Sequence, residues 1–107
     1  MIALGSDFPV ESINPLFGFH AAIARKDAEN WPENGFQVEN KLSREEALKG
    51  MTIWAAYANF EEKLKGSIEA GKLADFVVME RDIMAAPEED LRNIAVIHTY
   101  LGGERVY

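Results

Sequence analysis

The chain contains no cysteine. That excludes a disulfide framework, a thiolate nucleophile and any cysteine-bound metal, and it leaves the redox compartment open. Basic residues are scarce: 11 Lys and Arg stand against 18 Asp and Glu, for a net charge of −7. Without a basic patch to neutralise phosphates, neither nucleic acid nor an anionic membrane surface is expected as a partner. No apolar run approaches the roughly 20 residues needed to cross a bilayer. The segment Met1-Ile2-Ala3-Leu4-Gly5-Ser6-Asp7 has no basic region and no long apolar core, so it is not expected to be a signal peptide, and a cytoplasmic location is expected. There is no P-loop, no Gly-x-Gly-x-x-Gly, no EF-hand loop and no Ser-His-Asp arrangement. Internal repeats and low-complexity tracts are missing as well.

What remains is the balance of a water-facing globular chain: 48% hydrophobic and 27% charged over 107 residues. This length fits one domain and can bury roughly two thirds of its unfolded surface. Ile2-Ala3-Leu4 reads as a short strand handing over to a loop at Gly5-Ser6-Asp7. Asp7 then sits at the strand's carboxyl end, the edge that hosts chemistry in α/β sheets and barrels. An Asp there can equally cap its own loop through the backbone. Asn14-Pro15 opens a helix, with Asn as N-cap and Pro at the first position. His20 lies on its apolar face with Leu16 and Ile23, a packed helix residue rather than a ligand. Residues 25–41, with Trp31-Pro32 and Asn34-Gly35, read as a long surface loop.

Ser43-Arg44-Glu45-Glu46 is a capping box, and a helix is predicted from it to about Phe60. Ala47, Leu48, Met51, Trp54, Ala55 and Ala58 form one apolar stripe; Ile53, Tyr57 and Phe60 form a second. Trp54 reads as a packing anchor. Lys65 to Glu80 reads as a short strand, a turn at Glu69-Ala70-Gly71-Lys72, and a strand from Phe76 to Met79 covered on both faces. Pro87 to Arg92 reads as a short helix with acids at its start. Val96 to Leu101 and Arg105 to Tyr107 are strands, joined by a tight turn at Gly102-Gly103. His98 falls in the first of these and lacks neighbours that would make it a ligand.

Four stretches carry a family resemblance in one order. They are Ala3-Leu4-Gly5-Ser6-Asp7-Phe8-Pro9-Val10, residues 42–60, KGSIEAGKLADFVVM from Lys65 to Met79, and Gly102-Gly103-Glu104-Arg105-Val106-Tyr107. Together they resemble the C-terminal segment of TIM-barrel metal-dependent amidohydrolases, and amidohydrolase family 3 in particular. The resemblance implies a mixed α/β fold in two parts. Residues 1–60 would be the end of the barrel: last strand, loop, helix and long return helix. Residues 61–107 would be strands of the accessory composite β-sandwich, with the whole forming one compact unit.

The same resemblance implies that Asp7 is the aspartate after the last barrel strand, a metal ligand and general base. The intact enzyme would use a divalent metal, zinc by expectation, to hydrolyse an amide or cyclic amide C–N bond in a small molecule. His20 and His98 match none of the other ligand positions, so the segment alone is expected to be inactive and metal-free. A barrel strand without neighbours, and a helix with two apolar faces, further predict a homo-oligomer formed by swapped strands or helix pairing. The alternative reading is a non-catalytic module that self-associates or binds a partner.

Overall fold

The computed structural model describes residues 1–107. Three α-helices, α1 (Pro15–Ala24), α2 (Arg44–Met51) and α3 (Ile53–Ala58), precede a three-stranded antiparallel sheet of β1 (Phe76–Met79), β2 (Val96–Leu101) and β3 (Glu104–Arg105). Two 3₁₀ segments, Val38–Asn40 and Glu88–Asn93, interrupt the connections. The fold is therefore mixed α/β.

Local chemistry sets the helix starts. The Asn14 side chain accepts from the Leu16 N–H at 3.0 Å, with Pro15 at the first helical position. At α2 both halves of the capping box form: Ser43 accepts from the Glu46 N–H, and Glu46 accepts from the Ser43 N–H at 2.9 Å. The Ser43 N–H, and after it the Ser43 hydroxyl donating to Glu46 Oε2 at 2.8 Å, hold the Glu46 carboxyl below its usual 4.5. Because the folded value is depressed, the box contributes above about pH 4.5 and is lost as the pH falls through the lowered value.

The predicted single helix from Ser43 to Phe60 is two helices. Thr52 breaks it, at φ −124° and ψ −98°. Its hydroxyl donates to the Leu48 carbonyl at 2.7 Å, and its N–H reaches only to the Lys49 carbonyl. A Thr side chain that bonds the preceding turn competes with the helical ladder and bends it. At the far end α3 closes in a Schellman arrangement, with Phe60 N–H on the Tyr57 carbonyl and Glu61 N–H on the Ala56 carbonyl. This places Phe60, rather than a glycine, in the left-handed region at φ 60°.

One core spans the chain. Leu16, Phe19, Ile23 and Ala24 of α1 pack with Ala47 of α2 and with Ile83, Ala86, Leu91 and Ile94 from the second half. Arg44 ties the halves further, its guanidinium donating to the Ile83 carbonyl and, at 2.6 Å, to the Ala86 carbonyl. Arg92 lies 3.8 Å over the Phe17 ring. Trp54 is half-buried and lies outside this cluster, so it is not the buried anchor that the helical stripe suggested.

Three strand expectations need correction. Ile2-Ala3-Leu4 is extended but in no sheet; its one tie is the Leu4 N–H on the Gly50 carbonyl, because no neighbouring strand is present to pair with it. Lys65 to Ile68 is a bend, not a strand. β1 is not covered on both faces: Val77 and Val78, which point to opposite faces, remain 45% and 41% exposed, since a groove separates the sheet from the helices and no second sheet is present. The turns hold as read, with Lys72 N–H on the Glu69 carbonyl and Gly102-Gly103 between β2 and β3 at φ 58° and 85°.

Candidate functional site

Asp7 is placed by what lies beneath it. The extended segment before it rests on α2, where Gly50 leaves room: a Cβ there would come within 2.8 Å of Leu4 Cγ and 3.0 Å of the Ile2 carbonyl oxygen. Leu4, Gly5 and Ser6 join Gly18 and Phe19 of α1 around a small cavity of about 100 Å³. The chain then turns at Asp7, which is exposed and sits at φ 53°, a conformation Asp tolerates better than most residues.

The local bonds decide between the two readings of this side chain as a cap. Val10 N–H donates to the Asp7 backbone carbonyl at 2.9 Å, and Phe8 N–H reaches the Ser6 hydroxyl at 3.4 Å. Pro9 has no N–H. The turn is thus closed by a backbone oxygen and by Ser6, and the Asp7 carboxylate is not needed to cap it.

The two histidines lie elsewhere. His20 is fully buried in α1, its Nε2 3.0 Å from the Asn30 side-chain oxygen and its Nδ1 without a partner. That agrees with a packed helix residue. Asn30 belongs to a loop that is more ordered than a plain connector, because Asp27 accepts from the N–H groups of both Glu29 and Trp31 at 2.9 Å. His98 is half-buried on β2, edge-on to Tyr100 at 6.4 Å between ring centres. No three His, Asp or Glu side chains gather closely enough to hold a metal ion. A catalytic zinc takes about three protein ligands. The residues of this chain do not complete such a site.

Sequence reasoning missed a second cluster. In the KGSIEAGK turn, Lys72 Nζ donates to Ser67 Oγ at 2.5 Å, and Ser67 Oγ donates to Glu69 Oε1 at 2.5 Å. Ser67 first, then Lys72 at 3.4 Å, lowers the Glu69 carboxyl below its usual value. The cluster staples the turn. Gly66, just before it, passes so close to α3 that a Cβ would meet Ala56 Cβ at 2.8 Å and Ile53 Cα at 2.9 Å.

The family model described as amidohydrolase family matches residues 1–107. The chain belongs to the amidohydrolase family. It is 36% identical over 107 residues to Protein LONG AFTER FAR-RED 3 of Arabidopsis thaliana, covering 100% of this chain and 18% of that protein. It is 32% identical over 107 residues to Putative amidohydrolase YtcJ of Bacillus subtilis, covering 100% of this chain and 20% of the relative. N-substituted formamide deformylase of Arthrobacter pascens is 32% identical over 102 residues, 95% of this chain and 18% of the relative. The chain thus spans about a fifth of the length of the curated relatives it matches. No solved structure matches it.

Proposed function

We propose that this chain is the C-terminal part of an amidohydrolase that hydrolyses a C–N bond, an amide or cyclic amide, in a small molecule. The family match over the full 107 residues carries this reading. In it, residues 1–60 form the end of a TIM barrel and residues 61–107 supply strands of an accessory β-sandwich. Asp7 provides one carboxylate toward a divalent metal, zinc by expectation, whose other ligands come from outside this chain. When bound, such a metal makes water nucleophilic near neutral pH. The part played by this chain is the proton. Asp7 accepts it from the attacking water and returns it to the leaving nitrogen as the C–N bond breaks, so the carboxylate ends as it began.

An unshared carboxylate on a turn closed by other atoms suits that role. It is free to gain and lose a proton without loosening the backbone. The isolated chain is proposed to be inactive, because it holds one of the required groups. A second reading, a non-catalytic module that self-associates or binds a partner, draws on the open apolar groove between the helices and the sheet, lined by Leu48, Met51, Val77 and Met79.

The test is a segment exchange. These residues replace the matched 102-residue segment of the formamide deformylase, and deformylation is measured. Retained turnover is expected, carried by the foreign segment's Asp7. A chimera that folds and loads metal yet turns nothing over would contradict the assignment.

A further inference from the structure

Asp7 owes its place to contacts made before it in the chain. The last carbonyls of a helix lack partners within it. At the end of α2 the Leu48 carbonyl accepts the Thr52 hydroxyl at 2.7 Å, and the Lys49 carbonyl accepts the Thr52 N–H at 3.2 Å. The Gly50 carbonyl accepts from outside the helix, from the Leu4 N–H at 2.9 Å. The extended segment before Asp7 is docked there.

The docking is close as well as bonded. Gly50 is buried. A Cβ on it would lie 2.8 Å from Leu4 Cγ, 3.1 Å from Leu4 Cδ1 and 3.0 Å from the Ile2 carbonyl oxygen, where ordinary contact begins at 3.4 Å. A methyl at Gly50 must therefore displace the segment by about 0.5 Å. The Ile2 oxygen belongs to the backbone, so rotating a side chain does not relieve the overlap.

Between Leu4 and Asp7 nothing else in this chain holds the segment tightly. No atom lies within 4 Å of the missing Cβ of Gly5, and Ser6 borders the cavity of about 100 Å³ shared with Gly18, Phe19 and Met51. The Asp7 turn is closed from within, by Val10 on its carbonyl and by Phe8 on Ser6. Phe8, Val10 and Ile13 are exposed, and the next anchor is the Asn14 cap of α1. Of the two anchors, Leu4 on Gly50 is the nearer to Asp7, three residues away against seven.

We propose that Gly50 is a positioning residue for the Asp7 carboxylate: with no side chain there, Ile2 to Leu4 seat on α2 at the depth that sets Asp7 against the reacting atoms. This rests on the hydrolase reading above, in which the place of Asp7 governs turnover. A misplacement of about 1 Å costs on the order of 10²-fold in rate, so half of that is expected to cost about tenfold. The helix itself should accept the change, since Ala favours a helix over Gly.

Two measurements test it, with Gly18→Ala as the control. Gly18 borders the same cavity from α1, but nothing lies within 4 Å of its missing Cβ. The first measurement is amide NMR of the 107-residue chain. Gly50→Ala should move the Asp7 and Val10 signals, and Gly18→Ala should leave them in place. Adding Leu4→Ala to Gly50→Ala removes the atom 2.8 Å from the new methyl and should return both signals most of the way. The second is deformylation by the chimera described above. Gly50→Ala should lower kcat about tenfold with KM nearly unchanged. Leu4→Ala should recover most of that loss, and Gly18→Ala should cause none.

Asp7 and Val10 signals that stay put in Gly50→Ala, or a double variant no better than the single one, would overturn the proposal and leave the hydrolase reading standing. So would a kcat that holds in Gly50→Ala while Asp7→Asn loses it. A kcat indifferent to Asp7→Asn is a different result: it contradicts the hydrolase reading, and the role of Gly50 falls with it. If Gly50→Ala does not fold, Leu4→Ala must restore folding together with the signals, and a double variant that stays unfolded overturns the proposal.

Discussion

Asp7→Asn, placed in an amidohydrolase that carries these residues as its matched segment, is expected to lower kcat by at least about 10²-fold. Asn has nearly the shape of Asp but cannot accept the proton of an attacking water. Folding should hardly change, because the atoms that close this turn are the Asp7 carbonyl and the Ser6 hydroxyl, and neither is altered. Comparing kcat with the melting temperature separates the two roles this residue could have. If more than about a tenth of kcat remains, Asp7 is not the base. If activity and melting temperature fall together, the side chain is structural after all. KM should move less than kcat, since the carboxylate is assigned to the proton and not to substrate binding.

Gly66→Ala is expected to destabilise the chain by about 2–5 kcal/mol, read as a shift in the urea midpoint. Two costs combine. The residue sits at φ 92°, where an L side chain is strained by about 1–2 kcal/mol. The new methyl would also fall 2.9 Å from Ile53 Cα and 2.8 Å from Ala56 Cβ, an overlap with α3 that only a backbone shift relieves. Gly71 provides the control. Its φ of 94° is nearly the same, but nothing lies within 4 Å of its missing Cβ. Gly71→Ala should therefore carry the conformational cost alone, about 1–2 kcal/mol. If the two substitutions cost the same, α3 does not pack against Gly66 as described.

The family stretch KGSIEAGKLADFVVM owes its legibility to such local constraints. A glycine is needed where the chain crosses α3, and another where it turns. Helix caps were readable for the same reason: Asn14-Pro15 and Ser43 to Glu46 act within four residues of chain. Features that depend on distant partners were not. Ile2-Ala3-Leu4 has the composition of a strand, yet composition cannot supply the neighbour that a ladder needs. The apolar run of β1 implies two covered faces, yet Val77 and Val78, on opposite faces, both stay exposed. Thr52 broke a convincing helical stripe because its hydroxyl bonded Leu48, a choice that side-chain periodicity does not register.

The candidate site was legible unevenly. His20 read correctly as a packed residue, but its partner Asn30, in the following loop, could not be foreseen. The role proposed for Asp7 comes from the family resemblance alone, and its turn is closed by the Asp7 carbonyl and the Ser6 hydroxyl.

Metal content per chain tests most directly whether these residues offer one ligand to a site completed from elsewhere. The 107-residue chain, loaded with zinc and dialysed, should retain well below one zinc per chain, because a lone carboxylate falls short of the about three protein ligands a catalytic zinc needs. One tightly held zinc per chain, released by Asp7→Asn, would contradict this, and would mean that His20 or His98 joins Asp7 in a complete site.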